Sequence, residues 1–316
     1  MNNQINYDLA ITISVYDKFD DVKLIVDLIR ENWNGNFFII VCSAHPNAKA
    51  ELGNSKIDKI IELDNIPLDI NNYSNEEFHL HFTLRVLDSI RTGCKTCVGV
   101  RSDYAMHIHA DAYPLSWNKI NDLIIDMKKR KKTLAARGDG WGFYSPKEPM
   151  GAFDDMFFLF DTKYAEKIRL WDFDLFDCLP HKLSIHGALA FFFLSRIGLS
   201  KFYHYASYDE GLYWDGLKVL SAPFNSARPM SYYPDNKFLH IHETDFPDDY
   251  GNQLKALYFF ENGVTKGDFI SDFLNKWLID KNVLFKDLEK MEKKYKEKLK
   301  SAGLNPKNYG RNFFVM

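Results

Sequence analysis

Cysteine is scarce in this 316-residue chain, with four in all. That is too few for the disulfide framework of a secreted scaffold. Cys94 and Cys97 form a C-x-x-C, but no second pair exists to complete a zinc site. They are expected to be ordinary buried or loop thiols, with redox or metal binding as the alternative. Long apolar runs are missing too. The longest, ALAFFFL from Ala188 to Leu194, has seven residues, against about 20 for a bilayer span. The opening MNNQINYDLAITISVYDK shows neither the basic stretch nor the small-residue cleavage site of a signal peptide, so a cytoplasmic location is expected. An excess of positive charge is also absent. Lys and Arg number 40 against 43 Asp and Glu, for a net charge of −3, which gives no field for a polyanion and excludes nucleic acid as the expected partner. Nor are there glycine-rich phosphate loops. No G-x-G-x-x-G follows the first apolar strand, no G-x-x-x-x-G-K-[ST] occurs, and no G-x-S-x-G elbow is present. Dinucleotide binding, P-loop chemistry and the α/β-hydrolase triad therefore lose support.

Aromatic residues, by contrast, are abundant at 16%, with 26 Phe and 17 Tyr. Such rings fill cores, and Tyr and Trp also line pockets that stack on flat ligands. The first hundred and thirty residues alternate between two periods. DLAITISVY (Asp8 to Tyr16) puts Ile11, Ile13 and Val15 on one side of a strand, and the next seventeen residues repeat Val22, Ile25, Val26, Ile29 and Trp33 at helical spacing. FFIIVCSA and KIIELDN read as strands. NEEFHLHFTLRVLDSIRTG reads as a helix with Phe78, Phe82, Val86 and Ile90 on its apolar face and Gly93 as its stop. DYAMHIHAD is a strand, and SWNKINDLIIDMKK is an amphipathic helix. This alternation predicts an α/β fold, an open and mostly parallel Rossmann-like sheet with helices on both faces. Ligands of such sheets bind at the carboxyl ends of the strands. Ser14, Tyr16 and Asp17 close the first strand, and His109 and Asp111 close the later one. These five residues are therefore expected on the ligand side of the sheet, the positions that the resemblance described below makes nucleotide-binding.

The stretch MHIHADAYPL, Met106 to Leu115, admits two readings. Asp111 is either a strand-end turn acid ahead of Pro114, or a ligand presented to a cleft. His109 and Asp111 lie one residue apart on an extended chain, so they project to the same side and can face one cation. Further along, LAARGDGWGFYSPKEPMGAFDDMFFLF sets Gly138, Gly140 and Gly142 around Trp141 and Phe143, rings that could stack on a sugar. It then places Asp154 and Asp155 at the entrance to an apolar strand, where they are either functional acids or solvated turn residues. LSIHGALAFFFLSRIG is an all-round apolar helix with Ser184 as N-cap. His186 lies in its first turn, where the helix N-terminus disfavours imidazolium and keeps a proton acceptor neutral. A structural capping histidine is the other reading.

This order of elements, with HAD in the place of a D-x-D motif, resembles a glycosyltransferase of the GT-A fold over about the first 165 residues. The resemblance implies a catalytic domain over 1–245, with a nucleotide part at about 1–115, an acceptor part at about 116–245, and a C-terminal helical extension at 246–316. It implies transfer of a sugar from a nucleoside-diphosphate donor to a glycan or lipid-linked acceptor in surface polysaccharide or glycoconjugate synthesis. It also implies a Mn2+ or Mg2+ cofactor held by Asp111, His109 and the late pair His240 and His242, with His186, Asp155 and Asp154 on the catalytic side. The first motif position is His rather than Asp, which keeps a carbohydrate-binding or assembly protein on the same fold in view. A sugar nucleotidyltransferase is a further alternative, but it would carry glycines after the first strand, which SVYDKFDD lacks. The lysine-rich segment 286–300 is read as a solvated or lobe-capping helix, or as a peripheral contact with an anionic membrane.

Overall fold

All seven residues of β1 (Leu9–Val15) are buried, as they must be in a strand covered on both faces of its sheet. The computed structural model describes residues 6–64, 74–139, 152–181, 183–207, 231–232, 239–241 and 249–303. The chain divides into two units, one of residues 1–113 and 117–210 and the other of residues 114–116 and 211–316.

In the first unit β1 is followed by α1 (Phe19–Asp27), which runs on into a single π-helical turn, and by β2 (Phe37–Ser43), α2 (Ala48–Leu52) and β3 (Lys59–Glu62). Then come α3 (Asn75–Val98), β4 (Tyr104–His109), the two-residue β5 (Ala112–Tyr113) and α4 (Trp117–Lys129). The unit closes with β6 (Leu134–Asp139), β7 (Ala152–Asp161), α5 (Thr162–Lys167), α6 (Ile185–Arg196) and β8 (Phe202–Ser207). Seven strands form one sheet in the order β3-β2-β1-β4-β7-β6-β8. β7 is antiparallel to both β4 and β6, and every other pairing is parallel. The open, mostly parallel α/β sheet is thus the one the alternation predicts. Six strands end at one edge, and the antiparallel β7 begins there.

The core follows from period two. Ala10, Ile40, Cys42, Ala105 and Phe158 face a cluster that includes Leu87, Ile90 and Cys94 of α3 and Leu189 and Phe193 of α6. On the alternate positions, Phe37 of β2 meets Trp117 of α4 at 4.9 Å and Trp33 at 5.3 Å between ring centroids. At α3 the structure departs from the sequence reading in two ways. Phe82 is exposed, and the buried stripe is Leu84, Leu87, Ile90, Cys94 and Cys97. Gly93 does not stop the helix, which continues to Val98. A Cβ at Gly93 would lie 2.0 Å from Thr12 Oγ1, so this glycine lets α3 lie close against β1. The start of α3 is a capping box, with Ser74 and Glu77 each bonding the other's backbone N–H. Cys94 and Cys97 are fully buried within this core cluster, and burial pushes both thiols well up from their ordinary range.

The second unit contains β9 (Ser231–Tyr232) paired antiparallel with β10 (Leu239–His240), and the helices α7 (Tyr250–Glu261), α8 (Asp268–Trp277) and α9 (Lys281–Ser301). Among the described residues no helix is long and apolar enough to cross a membrane. The lysine-rich segment 286–300 lies on α9, where the side chains of Leu288, Met291, Tyr295 and Leu299 are outside those described.

Gly93→Ala is predicted to lower stability by about 1–3 kcal/mol, the range for overpacking a close contact. Denaturant unfolding with an unchanged slope and a lower midpoint would show it. An unchanged midpoint would mean that α3 shifts off β1 without loss.

Candidate active site

The strand-end edge of the first unit gathers the residues that can do chemistry. β7 enters the sheet there through an irregularity. Ala136 of β6 pairs with Phe158, and Gly138 with Phe153, so five residues of β7 span two of β6. Neighbouring residues on a regular strand point to opposite faces. A bulge re-aims them, and here it brings both Asp154 and Asp155 to one point. Both acids are buried, at 1% and 4% exposure. Ile108 pairs with Phe157 across β4 and β7, which sets His109 beside Asp155. α6 supplies the third element. Ser184 caps it by accepting from the Gly187 N–H at 3.2 Å, and this fixes His186 in the first turn.

The resulting contacts centre on one carboxylate. His186 Nε2 lies 2.9 Å from Asp155 Oδ1. His109 Nε2 lies 3.5 Å from Asp155 Oδ2, at ion-pair range without an aligned hydrogen bond. Asp154 accepts from the Met156 N–H at 3.1 Å, which holds its carboxylate within the bulge. The ligand atoms of Asp154, Asp155 and His186 all lie within 4.8 Å of one another, with burial decreasing from the acids to the histidine. Behind them His107 stacks on Phe158, with ring centroids 4.8 Å apart, and meets His109 edge-on at 5.4 Å. Burial, reinforced by neighbouring His109, holds the His107 imidazole well below its ordinary range.

A second centre lies on β1 and the turn after β4. Lys18 Nζ donates to Asp111 Oδ2 at 2.7 Å, and the Asp111 side chain is 7% exposed. Asp111 therefore sits against an ammonium within its own unit. The Ala110 N–H donates to the Ser14 carbonyl at 3.1 Å, which ties the HAD turn to the end of β1. The Ser14 hydroxyl is buried and makes no hydrogen bond among the described residues. Tyr16 is 38% exposed. The Arg85 guanidinium lies 3.2 Å over its ring, and His45 meets that ring edge-on at 5.1 Å. Arg85 Nε and Nη2 are buried without a hydrogen-bond partner among the described residues, and burial lowers the Arg85 pKa. Asp17 is exposed next to this pair.

The structure thus sets His109 beside Asp155, which His186 also meets, and gives Asp111 a lysine partner. His240 is buried on β10 of the second unit, and His242 lies outside the described residues. So do Gly140, Trp141, Gly142 and Phe143 of the expected sugar-stacking loop. Sequence reasoning missed Lys18 and Arg85. Lys18 directly follows Asp17 and could have been found as a cation at a strand end. Arg85 sits mid-helix with no local signal.

No family model and no curated protein matches the chain. Partial likenesses to solved structures do exist. The glycosyltransferase GlyE of Streptococcus pneumoniae TIGR4 overlaps at 14% identity over 86% of this chain and 63% of that one, with a TM-score of 0.42. Mouse xyloside xylosyltransferase 1 overlaps at 10% identity over 63% of this chain and 84% of that one, with a TM-score of 0.37. A mannosyltransferase of Pyrobaculum calidifontis, solved with GDP-Man and Mn2+, overlaps at 8% identity over 52% of this chain and 47% of that one, with a TM-score of 0.34. Scores this low, at such identities, carry no conclusion about reaction, metal or ligand.

His107 yields a pH prediction. Burial favours its neutral form in the folded state, whereas an unfolded imidazole takes up a proton below its ordinary value of about 6.5. The unfolded state then binds more protons, so stability rises with pH and is lost as pH falls below about 6.5, by up to roughly 1.4 kcal/mol per unit for one group. His107→Leu should flatten that part of the stability profile between about pH 6.5 and 5. A slope identical to that of the parent chain would show that other groups set it.

Proposed function

We propose that the chain is a nucleotide-sugar glycosyltransferase, with Asp155 and His186 as the pair that handles the acceptor proton. The observation that supports this most is the 2.9 Å contact between His186 Nε2 and Asp155 Oδ1, at the edge of the sheet where α/β folds bind ligands. With its proton on Nε2 and given to Asp155, the imidazole carries its lone pair on Nδ1. A carboxylate holding one ring nitrogen in this way fixes the tautomer of a general base and stabilises the imidazolium that forms. In the reaction, the acceptor hydroxyl gives its proton to His186 and its oxygen bonds to the anomeric carbon. The bond from that carbon to the diphosphate breaks, and the electron pair leaves with the nucleoside diphosphate. The Lys18–Asp111 pair would stand at the diphosphate, and the Tyr16–Arg85 pair at the nucleoside side of β1.

His186→Ala and Asp155→Asn should each lower transfer by on the order of 10²–10⁴ with donor binding retained. The assay is release of nucleoside diphosphate from a panel of nucleotide sugars with and without hydroxyl acceptors. Slow donor turnover by the parent chain that vanishes in both variants supports the reading. Donor binding without any turnover would make the chain a carbohydrate-binding or assembly protein instead, and turnover untouched by both substitutions would move the base elsewhere.

One observation favours a second use of the same cluster. Two carboxylates and an imidazole with ligand atoms within 4.8 Å of one another are a donor set that suits Mn2+ or Mg2+. Asp154, Asp155 and His186 would hold the ion, which when bound supplies Lewis-acid stabilisation of the departing diphosphate. In that case Asp154→Asn should abolish a Mn2+-dependent rise in melting temperature and the accompanying loss of the free-ion Mn2+ spectrum. A rise that persists in Asp154→Asn and disappears in Asp111→Asn would instead return the cation to the HAD turn.

A further inference from the structure

The strand-start edge of the first unit, opposite the candidate active site, has a charge character that the net charge of the chain conceals. Four segments reach this edge around β4, β7, β6 and β8, namely 100–103, 127–133, 161–172 and 195–201. Together they carry eleven Lys or Arg against four Asp or Glu, in a chain whose totals are 40 and 43. Arg101, Lys129, Arg130 and Lys131 are exposed, and none of them forms an ion pair among the described residues. Four strands spaced about 4.8 Å apart make this edge roughly 15 Å wide, broad enough for more than one charged group of a planar partner.

Two details show that these cations are placed rather than incidental. The two non-glycine residues described with positive φ are Lys131 and Arg169, both at 54°, and both lie on this edge. Each follows a helix end. The Lys131 N–H donates to the Lys128 carbonyl at 3.1 Å and that of Lys132 to Met127 at 2.8 Å. The Arg169 N–H donates to Glu166 at 3.0 Å and that of Leu170 to Ala165 at 2.9 Å. This paired bonding is the helix ending in which glycine is the unstrained residue. The chain keeps a cationic side chain at both positions instead. The second detail is a cavity of about 580 Å3 lined by Arg91, Lys95 and Arg169, with the Thr92 and Thr96 hydroxyl residues of α3 alongside. Its one carboxylate, Asp172, bonds Lys95 at 2.6 Å and Arg169 at 2.9 Å, and those two cations hold its pKa down to about 2. It stays ionised, and Arg91 is itself paired with Asp88 at 2.7 Å, so the three cations exceed these two acids by a single charge.

We propose that this edge docks on an anionic phospholipid surface, with a headgroup phosphate seated among Arg91, Lys95 and Arg169. A flat array of cations beside a pocket with room for a whole headgroup fits headgroups in a plane better than a single small anion, which would fill little of the pocket and leave the array unused. Strands of six or seven residues at about 3.3 Å each would hold the strand-end edge roughly 20 Å from that surface.

The test uses the full chain and sedimentation with vesicles of phosphatidylcholine alone or mixed with phosphatidylglycerol. The parent chain should bind only the mixed vesicles, and less as salt is raised. Arg169→Gly and Lys131→Gly should each lower partitioning by about fivefold, as expected for one interfacial cation, while leaving the melting temperature equal or higher because strain at φ 54° is relieved. Lys293→Glu with Lys294→Glu, on α9, should leave partitioning unchanged. The proposal is overturned if the anionic lipid gives no preference, or if the α9 variant loses binding while the two glycine variants keep it. A melting temperature that falls in the glycine variants with binding intact would likewise overturn it, showing these residues to be helix ends alone. Calorimetric binding of inorganic phosphate without any vesicle binding would reduce the site to a small-anion pocket and overturn the docking surface.

Discussion

The carboxylate of Asp155, shared between His186 and His109, is the constraint to which the local structure around it answers. A buried carboxylate needs partners, because moving an unpaired charge out of water is expensive. Here the carboxylate and its two partners come from three separate elements. His109 ends β4, His186 opens α6, and Asp155 itself is turned inward by the bulge of β7. A regular β7 would carry Asp154 and Asp155 to opposite faces of the sheet and leave one of them in the apolar core. The bulge is therefore a requirement of the site, placed where the antiparallel strand enters beside parallel ones. His107, two residues earlier on β4, closes the back of this arrangement by stacking on Phe158, which links the polar cluster to the aromatic core.

A second charge centre, Lys18 with Asp111, stands on the same edge. On the proposed reading the two centres would divide the labour that sugar transfer demands. Positive charge is wanted where the diphosphate gathers electrons, and a proton acceptor is wanted where the new hydroxyl arrives. An ammonium held at 2.7 Å by a nearly buried acid is a fixed positive group of low mobility. An imidazole held by a carboxylate is a fixed base. Electrostatic groups set in place before reaction need no reorganisation during it, and the anchoring of both pairs on strand ends and a helix start provides that fixity.

Much of the architecture was legible in the sequence because period two and period 3.6 alternate cleanly through the first hundred and thirty residues. The capping serine of α6 and the strand-end positions of Tyr16, Asp17, His109 and Asp111 followed from the same signals. The partners did not. Which carboxylate His109 faces depends on the register of an antiparallel strand some fifty residues away, and on a bulge whose only trace in the sequence is two adjacent acids before an apolar run. Gly93 reads as a helix stop, since nothing local reveals that Thr12 of another strand fills the space where its Cβ would be. Arg85 lies on an ordinary helical face until tertiary packing lays it over Tyr16. The even overall charge likewise hid the basic strand-start edge, because the acids that balance it lie elsewhere in the chain.

The most direct test of the central claim is a structure with a nucleotide sugar bound. The account predicts the diphosphate against Lys18 and Asp111, and the sugar's anomeric carbon within reach of an acceptor oxygen beside His186. A nucleotide sugar seated away from the strand-end edge, with Asp155 and His186 remote from the sugar, would contradict it.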